Sequence, residues 1–245
     1  MKKVFLVSIF FLLFACSSVD AQNLKGTFAI SGRTGAGIPL GDFADENKGA
    51  AKANLGFGGC AEYFVTDNLS IGGIINYQTF GVATEDIEND AEAIIFAVTG
   101  ELFEVDVDAK EKITSFGAFL RYLIPTRTRT YPFLKFGIGA GKFGLSGDAD
   151  YHHIASGMTF NADMDGSFDS KLYIDLGAGF LSMLSSNIAF TGEVLYTNVM
   201  TDNADGEMKV SMYGESFEED TELDFNSSYF SIYGGLTFFL GGSKY

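Results

Sequence analysis

Five charged residues in this 245-residue chain each interrupt a segment whose alternate positions are apolar: Glu62, Arg121, Lys135, Asp175 and Glu193. Asn76, Gln78 and Thr191 fall on the same opposite faces. Cations and carboxylates so placed must pair where they are buried, because an unpaired buried charge is costly. Paired, they form a polar core; if the pairs rearrange, they line a narrow ion path. A second group, Asn161, Asp163, Asp165 and Gly166, resembles the opening of a calcium loop. Its twelfth position is Leu172, where a bidentate Glu is needed, so a solvated acidic loop is the better reading. A third group joins the chain's two histidines, His152 and His153, to Asp148, Asp150 and Ser156, residue types that activate water or a hydroxyl. Nothing else secures a water or nucleophile there, and a serine that close to a histidine is common by chance. No catalytic residue, metal ligand or cofactor is therefore assigned.

The elements that would carry the five charges read as strands. In Tyr131 to Phe143, YPFLKFGIGAGKF, the residues Leu134, Phe136, Ile138 and Ala140 share one face, and Lys135, Gly137, Gly139 and Gly141 share the other. The same alternation recurs in Leu24 to Arg33, Ala53 to Phe64, Leu69 to Phe80, Lys112 to Ile124, Lys171 to Leu181, Ile188 to Tyr196 and Ser227 to Leu240. Little else in the sequence is available to cover so many apolar faces. They are expected to face lipid, which makes the chain an all-β, antiparallel, up-and-down transmembrane barrel of eight strands. Tight turns are expected at Thr66-Asp67-Asn68 and Ser185-Ser186-Asn187. Two of the hairpins look like weak copies, since Asn68, Leu69, Ile71, Gly73, Ile75 and Tyr77 repeat at the offsets of Asn187, Ile188, Phe190, Gly192, Val194 and Tyr196.

Residues 1–21 read as a secretory signal: Lys2 and Lys3, an apolar run from Val4 to Ala15, then Val19-Asp20-Ala21 before Gln22. Leu13-Phe14-Ala15-Cys16 also resembles a lipoprotein box, although bulky Phe14 fits it poorly. With Cys16 removed or acylated, Cys60 is the one thiol left, so ladder hydrogen bonds rather than disulfides must hold the fold. Residues 22–245 form a single barrel domain with four long connections, 34–52, 81–111, 144–170 and 197–226, which hold 27 of the 32 acidic residues. In such barrels long loops are extracellular and tight turns periplasmic. The net charge of -16 argues against nucleic acid as a partner, which needs a basic footprint. Two of the connections carry further strand signals: Ala93 to Val98 with Glu101 to Val107 around Thr99-Gly100, and Glu207 to Tyr213 with Glu215 to Phe225 around Gly214. These would stiffen the loops or project as a surface sheet with edges able to pair with a partner; if the first hairpin instead joins the barrel, the strand count rises to ten.

The signal peptide, the GIPLGDF stretch, the TDNLSIGG turn and strand and the aromatic terminal strand SSYFSIYGGLTFFL resemble small outer-membrane β-barrel proteins of the OmpA/OmpX type. The resemblance implies residence in the outer membrane among lipid and lipopolysaccharide, and insertion by the barrel-assembly machinery. That machinery reads a terminal strand commonly ending in an aromatic residue; here Tyr245 is last, but Gly241 to Lys244 separate it from the strand. Omptin-type proteases use Asp and His at the rim of a ten-stranded barrel, and Asp150-Tyr151-His152 matches only a D-x-H fragment of that arrangement. The expected function is structural or surface-interacting, with an extracellular ligand met through the loops, a lumen filled by side chains and no catalysis. The alternative is a small channel or transporter for ions or small solutes.

Overall fold

A computed structural model describes residues 24–46, 48–212 and 215–241, without the side chains of 86 and 87. The expected signal peptide, Cys16, Gly214 and Tyr245 lie outside the described residues. Twelve strands follow along the chain: β1 (Phe28–Leu40), β2 (Ala51–Lys52), β3 (Asn54–Phe64), β4 (Leu69–Val82), β5 (Phe103–Leu123), β6 (Thr130–His153), β7 (Met158–Phe168), β8 (Lys171–Met183), β9 (Ile188–Val199), β10 (Ala204–Met212), β11 (Glu215–Leu223) and β12 (Ser227–Leu240). Among the described residues there are thus twelve strands, not eight. The closed ring itself passes through eight of them, in the order β1-β3-β4-β5-β6-β8-β9-β12 and back to β1, each antiparallel to its neighbours.

The other four strands explain the surplus. β2 is a two-residue addition to β4, and β7, β10 and β11 extend one side of the ring beyond its rim. β6 makes this possible by changing partner along its length, pairing with β8 from Thr130 to Gly141 and with β7 from Gly144 to His153. The connection expected over 144–170 is therefore mostly the hairpin β6–β7, and β5 begins at Phe103 rather than Lys112. β1 likewise continues through GIPL to Leu40 before a short 3-10 turn at Gly41–Phe43. Asn161, Asp163, Asp165 and Gly166 lie in β7, so they form no calcium-binding loop.

The hairpin expected over 93–107 is corrected more sharply. Residues Glu85–Thr99 form a helix, α1, and only Phe103 onward is strand. Acidic residues at the start of this segment suit the positive end of a helix, and Gly100, at φ 72°, ends it with its N–H bonded to the Phe96 carbonyl. The run Ile94-Ile95-Phe96 supplied the misleading strand signal; the half-buried stripe is Glu88, Ala91, Glu92 and Ile95, at helical spacing. The hairpin expected around Gly214 is present as β10–β11.

Tight connections at 65–68, 124–129 and 184–187, together with Leu24 and Gly241, lie at one end of the ring, which by the general rule for such barrels is taken as the periplasmic end. In the first of these turns the Thr66 hydroxyl accepts the backbone N–H groups of Asn68 and Leu69 at 3.2 and 3.0 Å. Outward side chains of the ring are apolar over the span of a bilayer, with Phe57, Ile75, Phe116, Leu134 and Leu176 all more than half exposed. That exposure fits lipid as the solvent of this face.

Candidate functional site

The inward face of the ring is layered. At the periplasmic end Leu24, Phe64, Leu123, Tyr131, Phe133, Leu181, Met183 and Phe239 form one buried apolar cluster. At the extracellular end Phe43, Phe80, Ile113, Phe143, Phe168, Tyr173, Val199, Phe225 and Tyr229 form another. Phe43 is carried into the mouth by the 3-10 turn after β1 and meets Phe80 edge-on at 4.8 Å and Phe225 stacked at 6.1 Å. Contacts of this kind contribute about 0.5–1.5 kcal/mol each beyond area burial.

Between the two clusters lies the charged layer. Glu62, Arg121, Lys135, Asp175 and Glu193 are all at most 4% exposed. Arg121 donates to Glu62 Oε1 at 2.6 Å, and Ser70 donates to Glu62 Oε2 at 2.6 Å. Lys135 Nζ lies 3.4 Å from Glu193 Oε2, and Thr197 donates to Asp175 Oδ1 at 2.6 Å. One member escaped the sequence analysis: Arg33, placed at the end of a strand that proved to run seven residues further, pairs with Glu193 and donates to Asn76 Oδ1 at 2.6 Å. With Arg33 included, the layer holds three cations and three carboxylates and is neutral among the described residues. The cations also lie on aromatic faces, Arg33 on Tyr233 at 4.5 Å, Arg121 on Phe133 at 4.6 Å and Lys135 on Phe119 at 4.7 Å. Space for these long side chains comes from inward glycines. A Cβ at Gly72 would lie 2.8 Å from Glu62 Cβ, and one at Gly58 would lie 2.5 Å from Asn76 Oδ1. The layer can hold charge in register, with buried apolar clusters above and below it.

Beyond the rim the polarity of the same strands reverses. Outward positions of β5 pass from Tyr122, Leu120 and Phe116 to Lys112, Lys110, Asp108 and Asp106, and those of β6 from Leu134, Phe136 and Ile138 to Lys142, Ser146, Asp148 and Asp150. Inward positions change the other way, from Arg121 and Lys135 to Val107, Ala109, Leu145 and Ala149. The outward face of this extracellular sheet sets like charges side by side, Asp106 opposite Asp150 and Asp108 opposite Asp148, itself opposite Asp163. Directly opposed like charges destabilise a sheet. Lys110 offsets part of this through a 3.0 Å contact with Asp108, and Lys209 pairs with Glu218 at 3.2 Å.

The two lateral edges of the extension differ. Above Lys110 the β4 side of β5 has no strand partner among the described residues, and α1 covers it: Glu92 Oε1 accepts the Val105 N–H and Glu88 Oε1 the Val107 N–H, both at 3.1 Å. Such cover blocks edge-to-edge pairing. At the far side β11 has no second strand partner among the described residues and is exposed from Glu215 to Asp220.

Glu111, counted as a loop residue from sequence, sits on the inward face of β5 just above the lipid-facing band, 3% exposed between Phe80 and Leu145 in register. Its Oε2 has no hydrogen-bond partner, and burial pushes its carboxyl up to about 9. The two histidines are split between the faces of β6. His152 is on the outward face with Nδ1 3.1 Å from the Thr159 hydroxyl, while His153 is on the inward face with Nδ1 2.5 Å from the Ser156 hydroxyl. Glu101 Oε2 lies 3.2 Å from His153 Nε2, but that nitrogen makes no aligned hydrogen bond. Ser156 Oγ also accepts the Met158 N–H at 3.4 Å, as expected of a turn residue. Asp150 bonds Asn161 rather than either histidine.

No curated protein sequence matches the chain significantly. Among solved structures it is similar to a major outer membrane protein from Thermus thermophilus, at 10% identity and a TM-score of 0.55, covering 87% of this chain and 99% of that one. It is also similar to Neisserial surface protein A, at 11% identity and a TM-score of 0.46 over 87% and 99% of the two chains. The outer membrane protease OmpT from Escherichia coli matches at 10% identity and a TM-score of 0.38 over 91% and 100%. These likenesses concern the fold. The family model for the outer membrane protein beta-barrel domain matches residues 8–232. A closed antiparallel ring, an outward apolar band and that match together make this chain a member of the outer membrane protein beta-barrel domain family, located in the outer membrane.

Proposed function

We propose that this protein is a sealed barrel that anchors an extracellular sheet, and that its role is structural or surface-interacting rather than catalytic or conducting. The observation that carries this reading is the stack of three layers in the lumen, with apolar clusters at both ends of a neutral ion-pair layer. Ions crossing it would have to displace Phe43 and Phe80 above and Phe64 and Phe133 below as well as separate the pairs. An interior of eight strands is just wide enough to be filled by side chains. The extension adds the second support, because β6–β7, β10–β11 and α1 build a sheet well above the rim that contributes nothing to closing the ring.

Reconstitution in planar bilayers tests the reading. Folded protein is expected to leave the bilayer electrically silent. Steady single-channel currents that vanish when the protein is omitted would favour a small channel for ions or solutes instead.

A further inference from the structure

We propose that the inward face of the extracellular sheet docks a cationic amphipathic helix, an inference that rests on the surface-interaction role above. In register across this face, Gly147, Met164, Val210 and Phe217 form one row, and Leu145, Gly166, Met208 and Glu219 the next towards the membrane. Met164, Met208, Val210 and Met212 are only half-buried and Phe217 is 68% exposed. An apolar sheet face left this open lacks a covering layer. Methionine is flexible and polarisable, which suits a surface that moulds to an incoming helix.

Charge selects the occupant. The inward positions of β5, β6, β7, β10 and β11 above the rim hold no Lys or Arg. Their charged carboxylates are Glu215 and Glu219, on either side of Phe217; Glu111, buried with Oε2 unpartnered where the sheet meets the mouth, keeps its proton at neutral pH and adds no charge. The lysines beyond the rim on these strands, Lys110, Lys112, Lys142 and Lys209, all lie on the opposite face. A helix is about 10–12 Å across, and strands are about 4.8 Å apart, so three strands give it a seat. Its apolar stripe would cover Met164, Val210 and Phe217, and flanking Lys or Arg would reach Glu215 and Glu219. An anionic or purely apolar occupant would desolvate those carboxylates without pairing them. A second copy of this chain would bring the same carboxylates together, in a molecule already at net charge -16.

The test uses the full-length mature protein in phosphatidylcholine nanodiscs, with an 18-residue Leu/Lys amphipathic helix carrying one tryptophan as the probe. The chain has no Trp, so the peptide's emission reports binding without background. A saturable blue shift is expected, absent with empty nanodiscs and absent for a Leu/Glu helix of the same pattern. Phe217→Ser with Val210→Ser is expected to weaken binding about tenfold or more. Glu215→Gln with Glu219→Gln is expected to weaken it and flatten its salt dependence. Heat-modifiable migration in gels verifies that each variant is folded. Unchanged binding in both double variants, equal binding of the Leu/Glu helix, or loss of binding only in Asp108→Asn/Asp148→Asn/Asp163→Asn would each overturn the proposal. Failure here with electrically silent bilayers removes the docking assignment and leaves the sealed surface barrel standing. Conduction removes the latter whatever the titration shows.

Discussion

The lower and upper halves of β6 are one continuous strand in two solvents. From Leu134 to Ala140 its outward side chains are apolar and its inward ones include buried Lys135; from Gly144 to His153 the outward side chains are Ser146, Asp148, Asp150 and His152, and the inward ones Leu145, Ala149 and Tyr151. β5 reverses at the same height, where Thr114 stands opposite Lys142. Pairing with β5 does not distinguish the halves, since it runs unbroken from Phe103 to Leu123. What differs is the medium outside. Lipid admits no unpaired polar group, so charge goes inward and is paired, whereas water accepts carboxylates and drives the apolar face inward.

The strongest way to break the lower half is to orphan a charge in its interior. Arg121→Ala leaves Glu62 buried and unpaired and is expected to cost about 3–5 kcal/mol, read from urea unfolding in lipid vesicles. Glu62→Gln combined with Arg121→Met should recover much of that loss, which separates the cost of an orphan from the value of the pair. Outward substitutions contrast the halves directly. Ile138→Arg is expected to cost about 2–4 kcal/mol by placing charge against lipid. Ser146→Arg, eight residues along the same face, should stay within about 0.5 kcal/mol of the native protein.

Glu111 marks the boundary and gives it a pH signature. Its carboxyl is held near 9 by burial, against an ordinary value of 4.5. The folded state therefore holds a proton that the unfolded chain has released over that interval. Its stabilising contribution is fully present below about pH 4.5 and is lost as pH rises through about 9. Glu111→Gln should flatten this decline and raise stability at pH 9 by about 1–3 kcal/mol, seen in parallel unfolding curves at pH 5 and 9. A smaller effect belongs to the outward carboxylate row. Asp148→Asn, which relieves repulsion from both Asp108 and Asp163, should stabilise by about 0.2–1 kcal/mol, less at high salt.

The lower half was legible because alternation against lipid is strict. Leu134, Phe136 and Ile138 on one face of β6, and Glu62, Lys135, Asp175 and Glu193 on inward faces, follow from period two alone. Arg33 was missed because the glycines and alanines after it in GRTGAGIPL hide the alternation that carries β1 on to Leu40. The upper half was harder for the same physical reason that makes it different. Once water replaces lipid the outward face turns charged, and Lys110, Asp108, Asp148 and Asp163 read as loop although their strands continue. The segment 93–98 read as strand because Ile and Val favour both a sheet and a buried stripe of helix; the αL cap at Gly100 decides for α1.

The inversion is tested most directly by nitroxide scanning along β6 in lipid nanodiscs, with Cys60 replaced by Ser so that introduced cysteines carry the only labels in the barrel. Accessibility to oxygen, which partitions into lipid, and to a water-soluble nickel chelate is measured at each position. Labels at 134, 136 and 138 should favour oxygen, labels at 146, 148 and 150 should favour the chelate, and inward 133 and 143 should be shielded from both. Strong chelate access at 133 and 143 would contradict a lumen sealed at both ends, and oxygen preference persisting through 150 would contradict the reversal of faces at the rim.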